Sequence, residues 1–399
     1  MTGRERVLAV LNRRTPDRIP FEIGGTDCSS IHVLPYRKIR AMSGLPDKPV
    51  PCPCLIQLIA DPEPELKEAL RTDAEMLPFG ARENKVWRAP FGADLVVPEK
   101  FNPETLANGD TVIRAADGRV SKKMSATGHY FDAVGMPLAE ITSPAELDRF
   151  DDLFQRWDYS AVYDENIEEY AARAKKQYEA TDRAVVALWR LHYLQSGQLM
   201  RGYEQFFVDL MVDKPMAHAL LRKLHDVYLD RVDRFLAAMG DCVDIIFLTD
   251  DLGTQQSGLI SPDLYEEMIY PYARELLDRI KRSGKKIVMH SCGAVSAFIP
   301  YLIDMGVDAL NPVQVAASGM NPADLVREYG KDIAFWGGGC DTQHALNAAD
   351  PEDVRADVHR RLREFEGGHL VFTQVHNIQY DVPPENILAM QDEFFKQAG

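Results

Sequence analysis

The sequence predicts a single α/β domain over residues 1–399, folded as a (β/α)8 TIM barrel with an N-terminal helical segment and a β-hairpin insertion. Three observations predict it. Eight short apolar, β-rich runs recur along the chain. Helical patterns with recognisable starts and stops lie between most of them. The later runs are continuously apolar rather than alternating, as in parallel strands buried on both faces. An open doubly wound sheet is the competing arrangement. Against it, no G-x-G-x-x-G follows a strand and no G-x-x-x-x-G-K-[ST] occurs, so neither phosphate-binding loop is signalled.

The predicted strands are Ile19–Gly25, Glu75–Gly80, Ala184–Leu188, Val243–Thr249, Lys286–His290, Ala309–Gln314, Ile333–Gly337 and His369–Gln374. Ahead of them, Thr2 and Glu5 form a capping box for a first helix whose stripe is Val7, Leu8 and Leu11, ending before Pro16. Residues 90–135 alternate in period two about Asp117-Gly118 and read as a β-hairpin inserted over the barrel mouth. Ser261-Pro262 is an N-cap followed by an N1 proline, and the stripe Leu264, Met268, Ala273, Leu276, Leu277 and Ile280 stops at Gly284. Asp350-Pro351 opens a helix with Val354, Val358, Leu362 and Phe365 at helical spacing, and Gly367-Gly368 leads into the last strand.

Composition bounds the function. With 46% hydrophobic and 27% charged residues the chain is an ordinary globular one, and its net charge of −16 argues against nucleic-acid or polybasic membrane binding. No apolar run approaches the ~18 residues that span a bilayer, and the N-terminus is too charged for a secretory signal. A cytoplasmic small-molecule enzyme is the expectation. The cysteines, Cys28, Cys52, Cys54, Cys242, Cys292 and Cys340, are too sparse for a disulfide scaffold and read as free thiols, some of them metal ligands.

In a barrel of this type the active-site groups project from the C-terminal strand ends. Polar residues stand after each of the last five runs: Asp250, Asp251 and Gln255; His290 and Cys292; Asn311 and Gln314; Cys340 and Asp341; His376 and Asn377. His290 and Cys292 alternate by two at a strand end and can face one side, and Cys340 comes two strands later. An imidazole with two thiolates suits Zn²⁺, and three protein ligands leave a position open for substrate. Asp250 and Asp251 are candidates for binding a cation or orienting a catalytic group, or for capping a turn. His376 is a candidate fourth ligand, general acid or ligand-orienting donor. Gln255, Gln314, Asn311, Asp341 and Trp189 are candidate substrate contacts. Trp189, Tyr193, Tyr130, Phe131 and Trp336 are candidates to line a pocket for an aromatic or macrocyclic ligand, as well as for the core.

From RERVLAVLNRRTPDRIP to VPPENILAM the chain resembles the uroporphyrinogen decarboxylase-like superfamily of (β/α)8 barrels. One branch of that superfamily decarboxylates the acetate arms of a tetrapyrrole; the other comprises zinc-dependent, corrinoid-linked methyltransferases. The decarboxylase R-Q-A-G-R signature has no counterpart in FEIGGTDCSSIHVLPYRKIR, where Arg37 and Arg40 come later in a helical pattern. The methyltransferase H-x-C-G motif is matched position by position by His290-Ser291-Cys292-Gly293, which the resemblance makes two zinc ligands. The third ligand departs from the pattern. Thiol methyltransferases carry a cysteine at the end of the eighth strand, where this chain has His376, so either Cys340 or His376 completes the set. FWGGGCDTQ, VHNIQ and LNPVQ look like the subgroup associated with O-demethylation.

The resemblance implies methyl transfer between a small methylated substrate, such as an aryl methyl ether, and a corrinoid (cobalamin). No D-x-H-x-x-G motif occurs here, so the corrinoid would arrive on a partner protein or as free cofactor. A homodimer is compatible with this expectation. The alternatives are a metal-free carboxy-lyase using Asp250 or Asp27, and a non-catalytic corrinoid-binding subunit.

Overall fold

The computed structural model describes residues 1–77, 84–115, 117–157, 167–348 and 350–398. Seven parallel strands form one curled sheet: Ala74–Met76, Ala184–Trp189, Ile245–Thr249, Lys286–His290, Ala309–Asn311, Ala334–Trp336 and Leu370–Val371, each paired with the next in that order. The segment predicted as the first strand supplies the eighth stave through single bridges. Phe21 pairs in parallel with Phe372, the Glu22 amide donates to the Phe372 carbonyl at 2.9 Å, and the Asp73 amide donates to the Phe21 carbonyl at 2.7 Å. The curled sheet is thereby closed between its last and first strands. The end of predicted strand Glu75–Gly80 lies outside the described residues.

Alternation along these strands divides the apolar residues into two sets. Ala74, Met76, Val186, Leu188, Ile245, Phe247, Val288, Ala309, Trp336 and Val371 point inward and pack in the barrel; their neighbours pack outward against the helices. The inward set is plugged from below by the helix Gly3–Leu11, whose capping box is formed as expected and whose Val7, Val10 and Leu11 join the inner cluster. Arg6 and Arg18 both pair with the buried Asp73 at 2.7 Å, and Asp73 Oδ2 also accepts from the Phe21 amide at 2.8 Å. One carboxylate thus ties the plug to the closing stave.

Two expectations need correction. The stretch 90–135 is not a single hairpin. A three-stranded sheet joins Val50–Pro51, Asp94–Pro98 and Asn84–Arg88, and a four-stranded meander runs through Glu104–Thr105, Thr111–Arg114, Val120–Met124 and Asp132–Ala133. The Asp117-Gly118 turn is where expected, between the second and third strands of the meander, with Gly118 at φ 83°. The stripe from Leu264 to Ile280 is divided between two helices, Pro262–Met268 and Tyr270–Lys281, because Pro271 has no N–H to continue the first. Among the described residues no helix is long and apolar enough to cross a membrane.

Leu11 is fully buried in the plug. Leu11→Ala is expected to cost about 2–5 kcal/mol, read as a lower urea midpoint at unchanged slope. An unchanged midpoint would mean that the helix does not close the barrel floor.

Candidate metal centre

Inward parity along Lys286–His290 places Val288 in the barrel and His290 one layer above it, at the C-terminal rim, where its ring lies 6.1 Å from Phe247. The loop beyond His290 is held from both sides. The Cys292 amide donates to Asp251 Oδ1 at 3.0 Å, Ser291 Oγ accepts from the Leu252 amide at 2.9 Å, and the Gly293 amide donates to Gln314 Oε1 at 2.8 Å. Gly293 has φ 91°, and a Cβ there would sit 2.5 Å from the Gly253 carbonyl carbon, so the fourth residue of H-S-C-G is a glycine for space and for conformation.

Three donors converge: one ligand atom each from His290, Cys292 and His376, all within 4.8 Å of one another. Cys292 Sγ is 3.3 Å from His290 Nε2, and the two imidazoles are 5.4 Å apart. Which ring nitrogen is available follows from the bonding around them. Asn311 Nδ2 donates to the Trp336 carbonyl at 2.9 Å, which turns Asn311 Oδ1 toward His290 Nδ1 at 2.6 Å. A carbonyl oxygen only accepts, so Nδ1 carries the proton and Nε2 keeps its lone pair, pointed at Cys292. His376 repeats the device: Asn377 Nδ2 donates to Gln57 Oε1, and Asn377 Oδ1 lies 3.0 Å from His376 Nδ1. Burial and the neighbouring His290 push the His376 pKa down, toward the neutral form that binds metal.

Cys292 tests whether a cation fits. Burial, then the Asp251 charge, raise its pKa well above the ordinary thiol value, so a thiolate forms there only against a positive ion. Asp251 Oδ1 is 3.8 Å from His290 Nε2, close enough to add negative charge beside such an ion. Two neutral imidazoles and one thiol with a carboxylate alongside is a donor set for Zn²⁺, with a face left open.

The structure leaves Cys340 out of this cluster, contrary to its place in the expected ligand set. Cys340 bridges to Gln374, is fully buried and packs in the outer cluster rather than with the inward-facing set. Gly337 and Gly338 precede it with φ of 98° and 86°, which breaks the strand alternation that parity counting relies on. Asp250 is also reassigned. It is buried, and its carboxylate accepts from the amides of Tyr193, Leu194 and Gln195 at 2.9, 3.0 and 2.9 Å, capping the helix Leu194–Arg201.

Asp341 does similar local work, accepting from the Gln343 amide and His344 Nδ1, both at 2.8 Å. Gln314 and Asn311 position the centre, and Gln255 is an exposed loop residue. Of the five aromatics, Trp189 lines a cavity. Trp336 is fully buried and bonded to Glu22, Tyr193 is bonded to His225, Phe131 is in the core and Tyr130 is exposed. Sequence reasoning missed Asp27 and Arg190 as a pair. They form a close ion pair beside the mouth, with no motif to announce it.

The uroporphyrinogen decarboxylase (URO-D) family model matches residues 185–395, which holds every strand from Ala184–Trp189 onward and all three donors. The chain belongs to this family. Among curated relatives it is 24% identical to a uroporphyrinogen decarboxylase of Aliivibrio salmonicida, over 65% of this chain and 71% of that one. It is 28% identical to a methylated-thiol–coenzyme M methyltransferase of Methanosarcina mazei, over 47% of each. Among solved structures, a methyltransferase from Methanosarcina mazei superposes with a TM-score of 0.64 at 15% identity and full coverage of both chains, a likeness of fold.

Asn311→Leu removes the acceptor that fixes His290 while keeping the side-chain size. Zinc affinity, measured by competition with a chromogenic chelator, is expected to fall by about 10–100-fold. Undiminished affinity would show that His290 needs no such partner.

Proposed function

We propose that the protein is a zinc-dependent methyltransferase, moving a methyl group between a small O-methyl compound, such as an aryl methyl ether, and a corrinoid carried by a partner protein or supplied free. The observation that carries this reading is the convergence of His290 Nε2, Cys292 Sγ and His376 at the open end of the barrel. Family membership, and a methyltransferase among the relatives, support it.

Zinc held there supplies Lewis-acid withdrawal of charge from the heteroatom that gives up or accepts the methyl group, and the corrinoid supplies the cobalt that exchanges the methyl. The chain's own part is positional. His290 and His376 offer lone pairs already oriented by Asn311 and Asn377, so no tautomer change is needed on binding. Cys292 would hold the ion as a thiolate, its proton passing to solvent, with the Asp251 carboxylate, which accepts from the Cys292 amide, alongside. The barrel below is sealed by Phe247, Trp336 and the N-terminal helix, so reactants meet the donors only from the mouth.

The decarboxylase activity named for some relatives is not favoured. The arginines that follow the first stave are engaged elsewhere: Arg40 is buried against Glu63 at 2.7 Å and two backbone carbonyls, and Arg37 pairs with Asp47 at the surface.

The test is methyl transfer from an aryl methyl ether to cob(I)alamin, read from the visible absorbance of methylcobalamin. Zinc-loaded protein is expected to turn over, and His290→Ala and His376→Ala to lose at least about a hundredfold, while Cys340→Ala keeps its rate. Equal rates with and without metal would refute the reading.

A further inference from the structure

A cavity of about 720 Å³ lies between the inserted sheets and the end of the strand Ala184–Trp189, a volume suited to one small organic molecule. Leu188, Trp189, Leu191 and Trp157 give it apolar walls. Its charged lining is Arg119, Lys122, Arg156, Arg190 and Arg231 against Asp27 and Asp61, a basic excess in a chain whose net charge is −16. Two of these cations have work elsewhere: Arg119 pairs with Asp117, and Arg231 holds the Trp157 carbonyl.

Arg190 is different. Its Nη2 is bound by the Asp27 carboxylate and lies 3.7 Å from Cys54 Sγ, while Nε and Nη1 make no hydrogen bond among the described residues. Its side chain is 38% exposed, and the cavity is what it lines. A guanidinium held on one nitrogen by a buried carboxylate and open on the others is a fixed anchor for a second carboxylate. Asp27, which holds the anchor, lines the same cavity.

We propose that the cavity is a substrate site for an aromatic-sized apolar molecule bearing a carboxylate, with the carboxylate on the open donors of Arg190 and the apolar body against Trp157 and Trp189. The class of substrate thereby named rests on the methyl-transfer reading only for the chemical step after binding. Binding itself requires neither metal nor corrinoid.

The experiment is calorimetric titration of the full chain, zinc-loaded and metal-stripped, with 4-methoxybenzoate and with its neutral counterpart methoxybenzene. The expected result is at least about tenfold tighter binding of the benzoate, the same in both metal states, and a loss of about tenfold or more for the benzoate alone in Arg190→Gln. Ala133→Phe fills the cavity from the inserted sheet with Arg190 intact, and is expected to weaken both probes; it decides the matter if Arg190→Gln does not fold. Equal affinity for the two probes, or benzoate binding unchanged in either folded variant, would overturn the proposal. Binding as expected without methyl transfer would instead leave this site standing and remove the catalytic reading.

Discussion

The centre depends on one hydrogen bond, from His290 Nδ1 to Asn311 Oδ1 at 2.6 Å. It exists because two neighbouring parallel strands end in register, His290 beside Asn311, and because the next strand offers the Trp336 carbonyl to hold the other end of the amide. Three adjacent staves are therefore needed to fix one proton. With the proton fixed, the histidine lone pair points at Cys292 and His376; with the amide reversed or absent, the ring is free to present either nitrogen. A closed barrel is what keeps that register, since each strand end is held by neighbours on both sides.

The same economy runs down the barrel axis. Trp336 contributes its carbonyl to the centre, while its ring fills the layer below and donates to the buried Glu22 at 3.0 Å. Glu22 lies on the stave that closes the sheet, and burial raises the pKa of its carboxyl. Asp73 carries the chain of contacts on to the helix that plugs the floor. Floor, closure and rim are thus one connected structure, with the open end left for chemistry.

Much of this was legible. Continuously apolar runs marked the barrel strands of the second half, because a parallel strand buried on both faces is apolar along its length. His290 and Cys292 were legible for the same reason as the strand: period two extends one residue pair beyond it. Cys340 defeated the same argument, because two successive glycines with positive φ turn the chain before it and aim the thiol outward. Which amides Asp250 caps was not legible, because they belong to a helix that precedes it in the chain, a pairing that no local pattern records. The insertion was undersized for a related reason: alternation reveals that strands exist and leaves their partners unknown, and Val50–Pro51 joins from well upstream. The Arg190–Asp27 pair is long-range in the same way.

The central claim is that His290, Cys292 and His376 hold zinc, and X-ray absorption at the zinc edge of the loaded protein tests it most directly. The account predicts one sulfur at about 2.3 Å with two imidazole nitrogens at about 2.0–2.1 Å around the metal, and loss of the sulfur in Cys292→Ser. Two sulfurs bound to the zinc, unchanged in His376→Ala, would contradict it.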